Sequence, residues 1–311
     1  MKEYDLIVVG SGAAGLSAGI YAGRYRMKTA VFGEDFGGLT STAGMIQNYP
    51  GYVEIDGFEL MSKMKEQAII SGAEVYDGRI KTIVREGSFF TITTLKGETY
   101  QSKTVILATG SAHKHLGLEH EKEWTSKGVH YCTTCDAPLY GGKTIAIVGG
   151  GDGAIKGAAL AAEYAAKLYV FVRGTALRAE PINVDHLMKF KEKVEIAYET
   201  EVVELLGVDH LEKIRLSKSL NGNTELVIDG LFIEIGQEPQ VELAKSLGVE
   251  LDSYGTINTD PTMRTNVEGV FVAGDVSNLF GSFRQDITVA AMGAVAATSA
   301  YNYCRKTPVH K

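Results

Sequence analysis

Residues 5–22 read DLIVVGSGAAGLSAGIYA, and this stretch decides the fold of the chain. The apolar, β-branched run at 4–9 predicts a strand that stops at Gly10. A helical period of apolar residues follows the glycine, so the stretch reads as strand, tight turn and helix. The residues that carry the helical period are Leu16, Ile20 and Tyr21.

The same order of elements recurs at residues 144–154, which read TIAIVGGGDGA and lead into an alanine-rich helix predicted to end near Ala166. Each copy has the form G-x-G-x-x-G/A, and two copies in register are stronger evidence than a lone match. With Gly10 placed on Gly149, a gapless alignment gives the pairs Gly12 with Gly151, Gly15 with Ala154, Lys28 with Lys167, Val31 with Val170 and Phe32 with Phe171.

Such turns bind dinucleotides, because the glycines let the backbone approach a pyrophosphate that rests on the helix N-terminus. The end of the second strand reads the adenosine ribose, and the copies differ there, with Glu34 in the first and Arg173 in the second. A carboxylate suits a free ribose diol and a guanidinium suits a 2′-phosphate. The first turn is therefore predicted to bind FAD and the second NADP(H); the alternative is that both residues are ordinary solvated charges.

Composition excludes several other classes of protein. The net charge of −7 and the absence of a dense Lys/Arg run give no electrostatic footprint for nucleic acid. No stretch reaches the roughly 18 apolar residues of a membrane span, and Glu3 and Asp5 argue against a signal peptide. A cytoplasmic enzyme without a membrane partner is expected.

Cys132 and Cys135 form a C-x-x-C pair that is followed at once by Asp136. In a chain with only three cysteines, this spacing favours a redox-active dithiol. Half of a zinc site and a pair of inert buried thiols are the alternatives, and no second paired motif supports a metal. Cys304 lies apart and is interpreted as a packed or surface thiol.

The order of these elements predicts an α/β fold of two Rossmann-like, three-layer domains, the second inserted in the first. Further strands of the first domain are expected at Phe89–Thr94, Thr104–Ala108 and Gly269–Ala273. The predicted FAD-binding domain comprises residues 1–113 and 243–311, and residues 114–242 form a pyridine-nucleotide-like domain that carries the dithiol.

Across nearly its whole length the chain resembles the low-molecular-weight thioredoxin reductases. The motifs stand in the order and at the spacing typical of that family, and the combination is specific. They are VVGSGAAGLSAGIYA at 8–22, NYPG at 48–51, ILATG at 106–110, YCTTCD at 131–136, IVGGGDGA at 147–154, IGQEP at 235–239 and GVFVAGDV at 269–276 followed by Arg284 and Gln285.

The resemblance implies an FAD enzyme that reduces thioredoxin or a thioredoxin-like protein, and it implies a homodimer. Cys135 would face the flavin, Cys132 would attack the partner's disulfide, and Asp136 would donate and accept protons; a capping role is the alternative for Asp136. The inserted domain would rotate about Gly110 and Gly236. The implied FAD residues are Gly10, Gly12, Ala13, Ala14 and Gly15 at the pyrophosphate, Gly38, Leu39, Thr40 and Asn48 near the flavin and ribityl chain, Thr109 and Gly110 along the cofactor, Gly274 and Asp275 at ribityl or phosphate oxygens, and Gln285 at the ring.

The nicotinamide side departs from the family pattern. The usual His-Arg-Arg run reads Val172-Arg173-Gly174, and the second turn has Gly153 in place of serine. NADPH is predicted as the donor, with NADH, reduced ferredoxin and a reduced deazaflavin as rivals, and a flavin-bound redox sensor is the alternative to an enzyme. Arg284 contacts either a phosphate or an acidic side chain. The candidate nicotinamide-nucleotide residues are Gly149, Gly151, Asp152, Arg173 and Arg178.

Overall fold

A computed structural model describes residues 1–281 and 283–306. The strands are β1 Lys2–Val9, β2 Thr29–Gly33, β3 Met45–Ile46, β4 Ile55–Asp56, β5 Glu74–Asp77, β6 Ile80–Glu86, β7 Phe89–Thr94, β8 Thr99–Leu107, β9 Ser111–His113, β10 Val129–His130, β11 Thr144–Val148, β12 Lys167–Val172, β13 Val194–Tyr198, β14 Val202–Leu206, β15 Lys213–Leu220, β16 Asn223–Val227, β17 Gly230–Ile233, β18 Gln237–Pro239 and β19 Val270–Val272. The helices are α1 Ala13–Arg24, α2 Gly57–Ile70, α3 Thr133–Asp136, α4 Asp152–Tyr164, α5 Pro181–Met188, α6 Glu242–Ser246 and α7 Asp286–Lys306, with 3₁₀ turns at Gly38–Thr42 and Ala137–Tyr140.

The chain folds into two compact units, and we name them by their place in the sequence. The outer unit comprises Met1–Ala112 and the chain from Pro239 onwards, and the inserted unit is His113–Glu238. The sequence placed the divisions after residues 113 and 242. The structure divides the chain after residues 112 and 238, inside the two short strands β9 and β18. These strands pair with each other.

The outer unit is built on one mixed sheet in the order β5-β2-β1-β8-β7-β6, with β19 also on β8. The strands β5, β2, β1, β8 and β19 pair in parallel, and β7 and β6 add antiparallel. Leu6 and Val8 pack on one face of the sheet and Ile7 and Val9 on the other. Burial of both faces makes this unit a three-layer structure.

The predicted strand Thr104–Ala108 starts earlier in the structure, as β8 at Thr99. Its first half pairs antiparallel with β7 through Thr99 to Ser102. These residues are mostly polar, so a run of apolar residues could not reveal this part of the strand. The helix predicted through Leu16, Ile20 and Tyr21 is confirmed as α1, in which Leu16 and Ile20 are buried and Tyr21 is 42% exposed. Alanines at positions 14, 18 and 22 are also buried.

Helices α1 and α7 pack closely against each other on one face of this sheet. A Cβ at Gly293 of α7 would overlap the carbonyl oxygen of Ala14, so only glycine allows this approach. Met292, Ala296 and Ala300 of α7 are buried, so α7 packs into the core of the outer unit. This crossing fixes the position of the N-terminal turn of α1.

The inserted unit has an all-parallel sheet in the order β10-β17-β11-β12-β13. Helices α4 and α5 cover one face, and the antiparallel sheet β14-β15-β16 lies on the other. The single tryptophan, Trp124, is 1% exposed in the core beneath that small sheet. Two Rossmann-like domains, one inserted in the other, are thus confirmed. Within 1–281 and 283–306, no helix is long and apolar enough to span a membrane.

We predict that Gly293→Ala destabilises the outer unit by about 1–3 kcal/mol, because the added methyl group forces α1 and α7 apart. This loss appears although alanine favours an isolated helix by about 1 kcal/mol. Urea unfolding followed by far-UV circular dichroism measures the change. Gly78→Ala is the matched control, since a Cβ at Gly78 meets no atom within 4 Å. Equal stability of the Gly293 and Gly78 variants would contradict the packing argument.

Candidate dithiol and nucleotide-binding sites

The first glycine turn joins β1 to α1 in the outer unit. Gly10 has φ +117°, and a Cβ there would overlap the carbonyl oxygen of Ala108. A Cβ at Gly15 would overlap the carbonyl oxygen of Gly10, so helix, turn and neighbouring strand meet backbone to backbone. Gly12 caps α1 without a side-chain bond, and no acidic residue stands in the first turn. The free N–H groups and the helix dipole there form an anion-binding site.

The predicted flavin-side residues are held against the start of α7. The 3₁₀ turn Gly38–Thr42 follows Gly37, and the Thr40 hydroxyl donates to Asp286 Oδ1 at 2.5 Å. Asn48 Nδ2 donates to Gln285 Oε1 at 2.8 Å. The structure therefore brings Thr40, Asn48 and Gln285 together, although they are far apart in the sequence.

Asp275 follows β19 immediately after Gly274, which has φ +92°. Among the described residues no hydrogen bond reaches its carboxylate, and burial raises its pKa against the charge of Arg284. Arg284 makes no ion pair within 4 Å among those residues, which leaves the structural salt bridge unsupported. Ser277 Oγ is also buried without a hydrogen-bond partner in the described chain. Buried polar groups of this kind are normally satisfied by a ligand or water.

Two further predicted residues have protein partners already. Glu34 lies exposed just beyond β2, and its carboxylate pairs with Arg79 at 3.5 Å, so the ribose and solvated-charge interpretations both stay open. The Thr109 hydroxyl donates to the carbonyl oxygen of Gln240 at 2.7 Å.

The glycine turn at the N-terminus of α1 fits an FAD pyrophosphate. The Asp275 carboxylate, which accepts no hydrogen bond among the described residues, fits the hydroxyl-bearing chain of the same cofactor.

The second glycine turn joins β11 to α4 in the inserted unit. Gly149 has φ +146°, and a Cβ there would overlap the carbonyl oxygen of Glu234. Gly151 caps α4, as Gly12 caps α1. Unlike the first turn, this one starts its helix with an acid, Asp152. The Asp152 carboxylate accepts hydrogen bonds from Glu180 N at 2.6 Å and Asn183 Nδ2 at 3.0 Å, so it fixes the following loop.

Arg173 and Arg178 both lie exposed after β12, and neither makes an ion pair within the described residues. The backbone N–H of Arg178 donates to the carbonyl oxygen of Gly150 at 2.7 Å, which places this loop beside the second turn. Two unpaired guanidinium groups near the end of the second strand are available for a phosphate.

Cys132 and Cys135 are joined as a disulfide, with Cα atoms 5.3 Å apart. Cys132 caps α3, and its sulfur accepts the backbone N–H of Cys135 at 3.2 Å. A hydrogen bond of this kind favours the thiolate when the pair is reduced. Cys132 is partly buried and Cys135 is exposed. No group of three or more metal-ligating side chains occurs in the part of the chain that the structure describes.

A chain of hydrogen bonds lies behind the dithiol. Asp136 Oδ2 is 2.7 Å from His130 Nδ1, and His130 Nε2 is 2.7 Å from the hydroxyl of Tyr140. His130 is buried and stacks on Phe232. The Asp136 carboxylate makes no capping bond, which argues against the capping alternative. Burial and the charges of Asp136 and Asp229 raise the pKa of Tyr140.

The segment between the cysteines is tied to the second glycine turn. Glu234 Oε1 accepts a hydrogen bond from the Thr133 hydroxyl at 2.9 Å and a longer one from Thr133 N at 3.4 Å. Burial, opposed by these bonds, raises the pKa of Glu234. The sequence analysis missed Glu234, although the likeness of Glu234-Ile235-Gly236 to Ala108-Thr109-Gly110 was a signal that could have found it.

Comparison with known proteins agrees with this geometry. The pyridine nucleotide-disulphide oxidoreductase family matches residues 4–299. The chain belongs to that family. A thioredoxin reductase of Treponema pallidum is 38% identical over 304 residues, which cover 97% of each chain.

Solved structures of this oxidoreductase family extend the likeness to three dimensions. Thioredoxin reductase of Lactococcus lactis aligns with a TM-score of 0.91 and 34% identity, over 98% of this chain and 100% of that one. A ferredoxin-flavin thioredoxin reductase of Clostridium acetobutylicum aligns with a TM-score of 0.54 and 32% identity, over 99% and 100% of the two chains. Resemblance to the low-molecular-weight thioredoxin reductases, and with it an FAD-dependent oxidoreductase, is thereby confirmed.

This oxidoreductase also holds the residue before Cys132 through a buried carboxylate. Glu121 is 2% exposed and accepts hydrogen bonds from Tyr131 OH at 2.7 Å and from three consecutive backbone N–H groups at 2.7–3.2 Å. His115 Nδ1 lies 2.7 Å from the same hydroxyl. Burial opposes ionisation, but the hydrogen bonds, led by that from Tyr131, outweigh it and lower the pKa of Glu121. The backbone donors belong to Leu116, Gly117 and Leu118.

We predict that Glu121→Gln destabilises the inserted unit by about 1.5–3 kcal/mol near neutral pH, because charge-assisted hydrogen bonds are lost. A carboxyl whose pKa is lowered by folding stabilises above its unfolded pKa, about 4.3, and loses this contribution as the pH falls through the folded value. The wild-type excess in stability should therefore shrink below about pH 4.3. Urea unfolding followed by Trp124 fluorescence reports on this unit alone, since the chain has one tryptophan.

Glu119→Gln is the matched control for that experiment, because the Glu119 side chain is 90% exposed. Its stability should follow the wild-type value at every pH. A pH-independent gap between Glu121→Gln and the wild type would contradict the assigned pKa shift.

Proposed function

We propose that this chain is a thioredoxin reductase that passes electrons from a reduced donor, through FAD and the Cys132–Cys135 pair, to the disulfide of a thioredoxin-like protein. The observation that carries the proposal is the disulfide at the start of α3, with a backbone N–H on one sulfur and an acid–imidazole pair behind it. The names of the Treponema and Lactococcus relatives support it.

FAD, when bound, supplies two-electron redox chemistry between a donor and a disulfide. Its pyrophosphate would rest on the N-terminus of α1 at the first glycine turn. Asp275 would accept hydrogen bonds from hydroxyl groups of the cofactor, and Glu34 would do so at the adenosine ribose. Thr40, Asn48 and Gln285 form the polar side of this site. Its remaining members are Gly10, Gly12, Ala13, Ala14, Gly15, Gly38, Leu39, Thr109, Gly110, Gly274 and Arg284.

The thiol chemistry balances without any other reactant. In the reduced pair, the Cys132 thiolate attacks one sulfur of the partner's disulfide, forms a mixed disulfide and releases the partner's other sulfur as a thiolate. The Cys135 thiolate then attacks Cys132 Sγ and displaces the partner's second sulfur. The partner leaves as a dithiol with the two protons that the Cys132 and Cys135 thiols lost on ionising, and the Cys132–Cys135 disulfide is restored.

Asp136 is placed to hold one of these protons. Its Oδ2 bonds to His130 Nδ1, and a buried imidazole can keep the proton close to the carboxyl without solvent. Tyr140 OH bonds to the far nitrogen and fixes the ring. Asp136 and His130 therefore act together as a proton store for the thiols.

NADPH is the proposed donor, because Arg173 and Arg178 are unpaired among the described residues and free to bind a 2′-phosphate. The pyrophosphate would lie at Gly149, Gly151 and Asp152. The Clostridium acetobutylicum structure is named as a ferredoxin-flavin reductase, and this favours ferredoxin as the second candidate donor. NADH and a reduced deazaflavin complete the set of donors.

Gly110 and Gly236 are the proposed hinges about which the inserted unit would rotate, so that either the dithiol or the nicotinamide could approach the flavin. They have φ +64° and +98°, a backbone conformation that glycine adopts more readily than other residues, and each lies in one of the two segments that connect the units. The homodimer stays a prediction from the resemblance, and the cytoplasmic location stays a prediction from the sequence pattern.

Trapping with an oxidised bacterial thioredoxin tests the proposal. Reduced Cys135→Ser should keep its flavin, lose disulfide-reductase turnover and accumulate a mixed disulfide through Cys132, because the resolving thiol is gone. A non-reducing gel measures the adduct. Cys132→Ser should give none, and Cys304→Ser should behave as wild type. Full turnover in Cys135→Ser would overturn the dithiol mechanism, and an adduct only in Cys132→Ser would exchange the two roles.

The donor is tested by stopped-flow reduction of the bound flavin, with NADPH, NADH and reduced ferredoxin compared on one absorbance readout. NADPH should bleach the flavin faster than NADH, because only NADPH carries the phosphate for Arg173 and Arg178. Arg173→Gln should remove most of this preference. Bleaching by ferredoxin alone would end the nicotinamide proposal and leave the dithiol mechanism intact.

A further inference from the structure

Glu234 occupies the place in the inserted unit that Ala108 occupies in the outer unit. Ala108 N donates to the carbonyl oxygen of Val9 at 2.8 Å, and Glu234 N donates to that of Val148 at 2.9 Å. The carbonyl oxygens of Ala108 and Glu234 then lie against the first glycine of their respective turns. The two turns thus share one backbone plan, with a methyl group at this position in one and a carboxylate in the other.

The Glu234 carboxylate faces the first turn of α4. Its Oε1 accepts the hydrogen bonds from Thr133, and its Oε2 lies 3.7 Å from the position that a Cβ of Gly153 would take. Gly153 is the second residue of α4, in the turn whose N–H groups bind phosphate in dinucleotide folds. A carboxyl group, which repels a phosphate when it is ionised, therefore lies beside the candidate pyrophosphate site.

The electrostatic balance at the two helix starts differs accordingly. The first turn of α1 contains no acid, and its positive end is left for an anion. The first turn of α4 has Asp152, and Glu234, the residue immediately after β17, adds a second carboxyl group. Asp152 is already bonded to the loop after β12, whereas Oε2 of Glu234 faces the phosphate turn.

We propose that the Glu234 carboxylate lowers the affinity of the second glycine turn for the pyrophosphate of a nicotinamide dinucleotide. The inference rests on the proposed function, in which the inserted unit receives the donor. Repulsion between like charges a few ångströms apart in a partly buried site is large enough to change an affinity tenfold or more. The site keeps Arg173 and Arg178 for a 2′-phosphate, so binding by NADP⁺ is weakened but stays stronger than binding by NAD⁺.

The test is calorimetric titration of the oxidised, FAD-loaded protein with NADP⁺ and with NAD⁺. The titrations are repeated across a range of pH, because burial raises the pKa of Glu234 and the repulsion requires the ionised carboxylate. Glu234→Gln removes the charge and keeps an oxygen for the Thr133 hydroxyl. We expect it to tighten NADP⁺ and NAD⁺ by a similar factor, about tenfold or more, since both carry the pyrophosphate. Glu234→Ala, which copies the outer unit, should do the same.

Glu163→Gln is the matched control, because Glu163 is an exposed acid near the other end of α4 and its loss changes the net charge equally. It should leave both affinities within about twofold of wild type, since exposed charges beyond a Debye length are screened. Trp124 fluorescence and flavin content verify that each variant is folded and loaded.

An unchanged or weaker affinity in Glu234→Gln and Glu234→Ala overturns the proposal, and so does an equal gain in Glu163→Gln. Absence of binding in the wild type and both Glu234 variants also overturns it, because another feature would then exclude the dinucleotide. Mixed-disulfide trapping needs no nucleotide, so failure of the proposed reductase function would be seen there independently of these titrations.

Discussion

In both units a carbonyl oxygen at the end of one strand fills the space that a side chain on the neighbouring turn would need. Gly10 meets Ala108 in this way, and Gly149 meets Glu234. The contact leaves no alternative to glycine and forces the chain out of the strand straight into a helix whose first N–H groups point away from the sheet. Each anion-binding turn exists because backbone touches backbone at this one point.

The two turns share this backbone arrangement but differ in the acidic residues around them. The outer unit has no acidic residue in the first turn of α1, and its Asp275 carboxylate, which is proposed to bind the cofactor, accepts no hydrogen bond within the described residues. The inserted unit sets Asp152 and Glu234 against the start of α4 and carries the dithiol on the adjacent α3. The Glu234 carboxylate accepts hydrogen bonds from Thr133, the residue after Cys132. One side chain therefore contacts both the dithiol segment and the start of α4.

Much of the fold could be predicted because its signals are local. Glycines at fixed spacing, a change from strand to helical period and the strand Phe89–Thr94 all lie within short windows of sequence. The nested order of the two domains followed from the late strand at Gly269–Ala273, which was interpreted as completing the first domain. Strand β8 was only half found, because polar residues at 99–102 are stabilised by pairing with β7 and not by burial of an apolar run.

The parts of the site that escaped prediction depend on tertiary contacts. Nothing in the order of residues shows that the ring of His130 lies between Asp136 and Tyr140. Glu121 resembles the charged residues around it, yet it alone turns inward to collect three backbone donors. Glu34 and Arg173 could be selected from the sequence, since the end of the second strand is fixed by the repeat.

The pairing of β9 with β18 has an evolutionary corollary. The chain leaves the outer unit and returns to it at adjacent points, where Gln240 N donates to the carbonyl oxygen of Gly110 at 3.0 Å. A folded module whose two ends are neighbours can be spliced into a surface loop of a host with little loss of chain entropy. The outer unit can therefore accept a different inserted domain at these two adjacent points without any change in its own glycine turn.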